Sequence, residues 1–203
     1  LASVAGEQFG FPVVVKADGL AAGKGVTVAS DCGSAEAAIR EAMLDDRFGD
    51  AGRRVVIEEC LVGPEVSYFA ICDGRAALAL PTAQDHKRAY DDDQGPNTGG
   101  MGAFSPSPLV TPAVERCIRE EIVGPVLEGL AAEGAAYHGF LYVGLMLTVD
   151  GPKVIEFNVR LGDPEAQVVL PMVEDSLAPM LVAAAAGSLS TSVCRHTTDP
   201  HVG

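Results

Sequence analysis

Tryptophan is missing from this chain of 203 residues, and aromatic residues are only 5% of it although hydrophobic residues reach 48%. Its core must therefore be aliphatic, rich in Ala, Val and Leu. No uninterrupted apolar run is long enough to span a bilayer, which argues against a membrane protein. The opening residues Leu1-Ala2-Ser3-Val4 lack the basic region and apolar stretch of a signal peptide. They also lack an initiator Met, which suggests a segment excised from a longer chain. Lys and Arg number 14 against 28 Asp and Glu, for a net charge of −14. With no basic run to override that balance, nucleic acid would be repelled. The four histidines form no H-x-x-x-H pair, which argues against zinc. Cys32, Cys60, Cys72, Cys117 and Cys194 are odd in number, widely spaced and without a C-x-x-C. That argues against a disulfide framework and for a reducing, cytoplasmic setting.

What is present alternates between strand-like and helix-like runs. Residues 12–17 are rich in β-branched residues and close at Asp18-Gly19; 26–29 return as a second strand. Gly19, Gly23 and Gly25 lie in the loop between them. Residues 34–46 carry Ala38, Ile39, Ala42 and Met43 at helical spacing, with Ser34 as the expected N-cap. Residues 55–59 form a strand. Residues 66–72 and 76–80 form a hairpin around Asp73-Gly74, and 140–149 and 153–158 form another around Asp150-Gly151. Thr111 caps a helix that begins at Pro112 and runs toward Glu133, kinked or split at Gly124-Pro125. Further helices begin near Asp163-Pro164 and at Ser176, the last ending at Gly187. Between them, residues 84–108 lose all apolar periodicity, and a loop of that length is usually functional or disordered. The mixture predicts an α+β fold with mixed or antiparallel sheets.

The run Val154-Ile155-Glu156-Phe157-Asn158-Val159-Arg160 carries most of the chemistry. On a strand, Glu156, Asn158 and Arg160 point to one face. A carboxylate and an amide oxygen suit Mg²⁺, which takes one or two protein oxygens and fills its shell with phosphate and water. An arginine beside them can meet phosphoryl charge as it moves. The plain alternative is an edge strand with a wet polar face. Lys16 ends an apolar strand where it can reach a phosphate, while loop N–H groups cover the anion. The loop from Gly19 to Gly25 differs from a P-loop. Three residues rather than four separate Gly19 from Gly23, and Gly25 stands where Ser or Thr should be. An ordinary glycine turn is the alternative there. Glu58-Glu59-Cys60-Leu61 ends a strand, whose backbone can pair with an adenine edge, and Glu65 follows to accept from ribose hydroxyls. Two solvated glutamates are the competing account. In the long loop, Gly95-Pro96-Asn97-Thr98-Gly99-Gly100-Met101-Gly102 is hard to explain by packing, and its N–H groups could hold a carboxylate or phosphate. His86 fits a base or, more simply, a hydrogen-bond donor. Asp91-Asp92-Asp93 has the wrong glycine spacing for a Ca²⁺ loop and is a solvated acidic run.

Lys16 with its glycine loop, Glu58 to Leu61 with Glu65, and Glu156-x-Asn158-x-Arg160 resemble the ATP-grasp ligases. The runs 16–25, 84–88, 95–102 and Arg160-Leu161-Gly162-Asp163-Pro164-Glu165 narrow the likeness. They are similar to the phosphoribosylamine–glycine ligase (glycinamide ribonucleotide synthetase) family, over roughly residues 9 to 189. The resemblance implies an ATP-grasp fold, with two α+β subdomains gripping ATP between them. These are expected at 1–62 and 63–190; residues 191–203 lack periodicity and form a tail that can fray.

The resemblance also implies a step of purine biosynthesis. ATP, glycine and 5-phosphoribosylamine give glycinamide ribonucleotide, ADP and phosphate through a glycyl phosphate. Glu156 and Asn158 would hold Mg²⁺, with Mn²⁺ able to substitute. Lys16 and Arg160 would act on the phosphates, with Gly19, Gly23, Lys24 and Gly25 as a mobile cover. Glu58, Glu59, Leu61 and Glu65 would hold adenine and ribose. Asp85, His86, Lys87, Asn97, Thr98, Gly99, Gly100, Met101 and Asp163 would shape the pocket for glycine and phosphoribosylamine. The family's full enzyme is about twice this long, with flanking N- and C-terminal domains as partners. This segment alone is therefore expected to bind ATP without completing turnover. Many ATP-grasp relatives carry an acidic Mg²⁺ ligand on the preceding strand, and residues 139–147 offer none here. The rival accounts are an ATP-grasp carboxylate–amine ligase with another acceptor, and a catalytically incomplete nucleotide-binding module.

Overall fold

The computed structural model describes all residues except 22–24, 87, 91–93, 99–100 and 190–193. The chain divides into two compact units, Leu1–Leu61 and Val62–Gly203.

In the first unit, β1 (Val13–Ala17) lies between β2 (Val26–Ala29) and β3 (Val55–Glu59), antiparallel to both. Alternation sorts the strands cleanly. Val13, Val15 and Ala29 are buried against α1 (Ala2–Phe9) and α2 (Cys32–Met43), with Val55 and Ile57 beside them. The small buried residues Ala35, Ala38 and Ala42 recur at helical spacing on α2, which lets the helix lie close on the sheet. Its N-cap is Asp31, not the expected Ser34. Asp31 accepts from the Ser34 N–H at 2.8 Å, and the Ser34 hydroxyl accepts from the Asp31 N–H at 3.1 Å. Reading Ser34 as the cap missed this reciprocal box, in which Ser34 is the third helical residue.

The second unit is built on the antiparallel sheet β11-β10-β4-β5: β4 (Glu65–Asp73), β5 (Ala77–Ala79), β10 (His138–Thr148) and β11 (Gly151–Asn158). Both faces of its centre are covered. Tyr68, Ala70, Cys72, Leu141, Val143 and Leu145 pack against Ile118, Val123 and Leu127 of the helical stretch 112–132. Phe69, Ile71 and Tyr142 pack on the other side with Val168 of α5 (Glu165–Val169) and Ala184 of α6 (Leu177–Ala185). Side chains such as Phe69 and Ile71, fully buried, contribute about 1.5–3 kcal/mol each. The 112–132 stretch is α3 (Pro112–Cys117), a π-helical turn (Ile118–Val123) and α4 (Gly124–Ala132). Thr111 caps it as expected, accepting from Val114 N–H. The expected break at Gly124-Pro125 takes the form of that π turn: Pro125 has no N–H to give, and the wider turn ahead of it absorbs the missing bond.

One region differs from expectation. The supposed loop 84–108 contains β6 (Gln84–Asp85), β7 (Arg88–Tyr90), β8 (Gln94–Asn97) and β9 (Ala103–Ser105). β7 pairs with β8, and β9 pairs with β6. These strands are too short to leave a readable apolar period. In the tail, whose order the sequence leaves open, residues 194–203 are held: β12 (His201–Val202) pairs with β9, Cys194 is buried, and His196 bridges to Val173. Backbone pairing needs no apolar pattern, so composition did not reveal it. Leu189, which lies ahead of the tail, is held by Asp73, a buried carboxylate that accepts from Arg75, Ala76 and Leu189 N–H groups at 3.0, 2.7 and 2.9 Å. Burial opposes its charge, yet the three N–H groups and nearby His138 outweigh it and keep the carboxyl below its ordinary value.

Candidate functional site

In the first unit, cross-strand register defines the face of the sheet away from the helices. Val14 lies opposite Val28 and Glu58, and Lys16 opposite Val26 and Val56, so these six residues share it. Val26, Val28 and Val56 are exposed there. The Lys16 ammonium pairs with the Glu58 carboxylate at 2.5 Å. The result is an apolar platform carrying one oriented cation, and the valines are its members that sequence reasoning missed. Their signal was the strand's period of two, which puts Val14 and Lys16 on one face.

The two outer glycines of the loop prove anchored rather than free. Gly19 donates its N–H to Ala51 O at 3.0 Å, and a Cβ on it would meet Ala51 Cα at 2.5 Å. A Cβ on Gly25 would meet Ala17 Cβ at 2.8 Å. Gly23 and Lys24 lie outside the described residues. Glu59 is exposed at the end of β3, and Leu61, the last residue of this unit, is half-buried.

In the second unit, Glu156, Asn158 and Arg160 line one open concavity of about 140 Å³, together with Asp85 and Asp163. β11 is indeed an edge strand, pairing with β10 alone in its sheet. Its polar face nonetheless has depth, because Gly144 and Tyr142 of β10 lie opposite Glu156 and Asn158. A Cβ on Gly144 would stand 3.2 Å from Glu156 Cγ, so the glycine leaves the carboxylate its place. Asn158 Nδ2 donates to Glu156 Oε1 at 3.1 Å, and Arg160 donates to Leu161 O at 2.9 Å. Asp163 accepts from Gln167 Nε2 at 2.8 Å, across the first turn of α5.

The same concavity contains residues that sequence reasoning did not single out: Tyr142, Gly162 and Glu165. Tyr142 was hidden inside an apolar strand, and Glu165 had been quoted only as part of a run. A smaller hollow beside it joins Glu65, Ser67, Asp85 and Glu156. His86 is exposed, its ring 5.5 Å from that of Phe104, and its backbone pairs with Gly102 and Met101. Met101 is exposed and Thr98 half-buried. Asn97 ends β8. Lys87, Gly99 and Gly100 lie outside the described residues.

The chemistry of the donor set fits Mg²⁺. Glu156 offers a carboxylate, and Asn158 keeps its carbonyl oxygen as the second hard donor. Among the described residues no cluster of three or more His, Cys, Asp or Glu could hold a metal on its own. Two protein oxygens are what a phosphate-bound Mg²⁺ usually takes. The five thiols are free, and Cys72 is pushed up to about 12 by burial and then by the Asp73 charge. Among the described residues no helix is long and apolar enough to cross a membrane.

Comparison with known proteins identifies the fold and the family. The family model described as phosphoribosylglycinamide synthetase, ATP-grasp (A) domain, matches residues 2–166. The phosphoribosylamine–glycine ligase of Caulobacter vibrioides is 54% identical over 181 residues, 89% of this chain and 42% of that protein. That of Allochromatium vinosum is 53% identical over 197 residues, 97% of this chain and 46% of that protein. The crystal structure of phosphoribosylamine–glycine ligase from Thermotoga maritima superposes with a TM-score of 0.82 at 36% identity, covering 99% of this chain and 50% of that one. The biotin carboxylase domain of Hydrogenobacter thermophilus 2-oxoglutarate carboxylase shares the fold, with a TM-score of 0.67 at 19% identity over 99% of this chain and 42% of that one. The chain thus spans about half the length of the relatives it matches. Its fold is ATP-grasp, and the chain belongs to the phosphoribosylglycinamide synthetase ATP-grasp (A) domain family.

Proposed function

We propose that this chain is the ATP-grasp portion of a cytoplasmic phosphoribosylamine–glycine ligase. Acting with flanking domains, it joins glycine to 5-phosphoribosylamine at the expense of ATP. The observation that carries the reading is the row Glu156, Asn158 and Arg160 lining one concavity with Asp85 and Asp163. Glycine's carboxylate attacks the γ-phosphorus of ATP, the bond to ADP breaks, and a glycyl phosphate forms. The phosphoribosylamine nitrogen then attacks that carbonyl and expels phosphate, giving glycinamide ribonucleotide. Such transfers depend on positioning and charge neutralisation more than on covalent help from protein.

Glu156 and Asn158 would hold Mg²⁺ or Mn²⁺, which when bound neutralises phosphate charge. Arg160 stabilises the transferring phosphoryl group. Lys16, oriented by Glu58, contacts phosphate, and the loop containing Gly19, Gly23, Lys24 and Gly25 covers it. Glu58, Glu59, Leu61 and Glu65 receive adenine and ribose, with the exposed valines beside Lys16 as an apolar seat. Asp85, His86, Lys87, Asn97, Thr98, Gly99, Gly100, Met101 and Asp163 shape the substrate pocket.

The test is ADP release by the protein together with its flanking domains, given ATP, Mg²⁺, phosphoribosylamine and a panel of carboxylates. Release that depends on glycine is expected. Release that depends on succinate or alanine but not on glycine overturns the reading.

A further inference from the structure

Glu165 lines the concavity beside Glu156 and Asp163, and none of the roles above uses it. It is buried, at 3% exposure. A buried carboxylate is normally paired with a cation or bonded by several donors. Glu165 is short of both. Among the described residues its carboxylate accepts one hydrogen bond, from Ser67 Oγ to Oε1 at 3.3 Å, and that donor is neutral. Among the same residues no Lys, Arg or His forms an ion pair with it. Arg160 lines the same concavity but donates to Leu161 O. Asp163, by contrast, receives Gln167 Nε2 at 2.8 Å. The chain also makes room for the Glu165 head group. A Cβ on Gly162 would stand 2.2 Å from Oε2, 2.5 Å from Cδ and 2.8 Å from Oε1. Gly162 is not among the glycines with positive φ, so space rather than backbone conformation is what requires a glycine there.

We propose that Glu165, held by Ser67 and given room by Gly162, receives the protonated amino group of the amino-acid substrate and so selects an amino acid over a carboxylic acid that lacks the amine. This rests on the ligase reading above, in which that substrate is glycine. Glycine has no side chain to recognise, so its selection must rest on its two charged ends. One end, the carboxylate, is the reacting group. The other is an ammonium, a compact cation with three N–H donors and no acceptor, which is what a buried, under-bonded carboxylate lacks. A second metal ion is the poorer fit, because among the described residues no three His, Cys, Asp or Glu side chains close on one metal position. A substrate without the amine would leave Glu165 buried and unpaired, and that cost is the basis of the selection.

The experiment measures kcat, the KM for glycine and for ATP, and the inhibition constant of acetate, which has the carboxylate but no amine. It uses the protein with its flanking domains, as wild type, Glu165→Gln and Gly162→Ala. Glu165→Gln keeps the shape and removes the charge. It should raise the glycine KM about a hundredfold, with the ATP KM within about twofold. The acetate constant should not rise, because acetate makes no use of Glu165. Gly162→Ala keeps the charge but pushes the carboxylate aside, and should raise the glycine KM about tenfold with acetate again unaffected. A merely structural role would instead reduce the folded fraction, lowering kcat and leaving the KM values in place. An unchanged glycine KM in Glu165→Gln overturns the proposal. So does a parallel rise for glycine and acetate, which would report a distorted pocket rather than a lost ammonium partner. Should Glu165→Gln fail to fold, Gly162→Ala decides in its place, since its added methyl meets only the end of a side chain. A wild-type protein whose ADP release ignores glycine would instead bring down the ligase reading, and this proposal with it.

Discussion

Gly19→Ala separates two accounts of the glycine loop. If Gly19 serves mobility, alanine there changes nucleotide handling and leaves stability alone. The structure argues for anchoring. A Cβ on Gly19 would lie 2.5 Å from Ala51 Cα, 2.8 Å from Ala51 Cβ and 3.2 Å from Ala51 O. Nonbonded carbons rest about 3.5–4.0 Å apart, so the 49–52 turn would have to retreat by about 1 Å. Ala51 Cα is backbone and cannot rotate aside. The retreat stretches two hydrogen bonds, Gly19 N–H to Ala51 O at 3.0 Å and Asp18 N–H to Arg54 O at 2.9 Å. Overpacking costs about 1–3 kcal/mol and a lost backbone bond about 1 kcal/mol, so Gly19→Ala should destabilise the chain by about 2–4 kcal/mol. Urea unfolding followed by far-ultraviolet circular dichroism measures it. Gly129→Ala is the control, because a Cβ at that α4 position meets nothing within 4 Å. There the same change should stabilise by about 0.5–1 kcal/mol. A Gly19→Ala chain within about 0.5 kcal/mol of wild type would refute the anchoring.

Glu156→Ala should leave unfolding within about 0.5 kcal/mol of wild type, because the side chain is exposed. In the ligase with its flanking domains, it should cut Mg²⁺-dependent ADP release by about a hundredfold or more; wild-type activity in this variant would sink the metal assignment. Asp73→Asn should cost about 2 kcal/mol at pH 7, because an amide NH₂ must replace a carboxylate oxygen that now receives backbone N–H groups. The Asp73 carboxyl is held below its unfolded value. Its contribution is therefore present above an unfolded pKa of about 3.9 and lost as pH falls through the lower folded value. The stability gap between wild type and Asp73→Asn should accordingly close on acidification in pH-dependent thermal melts; a gap that widens contradicts the assignment.

The fold was legible wherever a local pattern reports on burial. Three hairpins were readable from β-branched runs interrupted by glycine turns, and Thr111-Pro112 marked its helix start. Legibility failed where pairing is made by backbone alone. Nothing in Gln84-Asp85 or His201-Val202 signals a strand, because these short pieces pair through N–H and C=O groups that every residue carries. It failed again at Asp31, where the side chain that caps the helix and the one that answers it are three residues apart, and only the second was noticed.

The candidate site shows the same division more sharply. Glu156, Asn158 and Arg160 were legible as one polar face, but a polar face on an edge strand is compatible with plain solvation. What gives it depth comes from β10, which supplies Gly144 and Tyr142 opposite Glu156 and Asn158, and from β4, which supplies Ser67 opposite Gly144. That register includes an irregularity between Gly144 and Leu145. A slip of one residue would turn every one of these side chains to the other face. The residues that line the concavity run from Asp85 to Glu165. No window of sequence contains them together, so the chemistry was readable on one strand and its surroundings only after three strands and a helix had been brought into register.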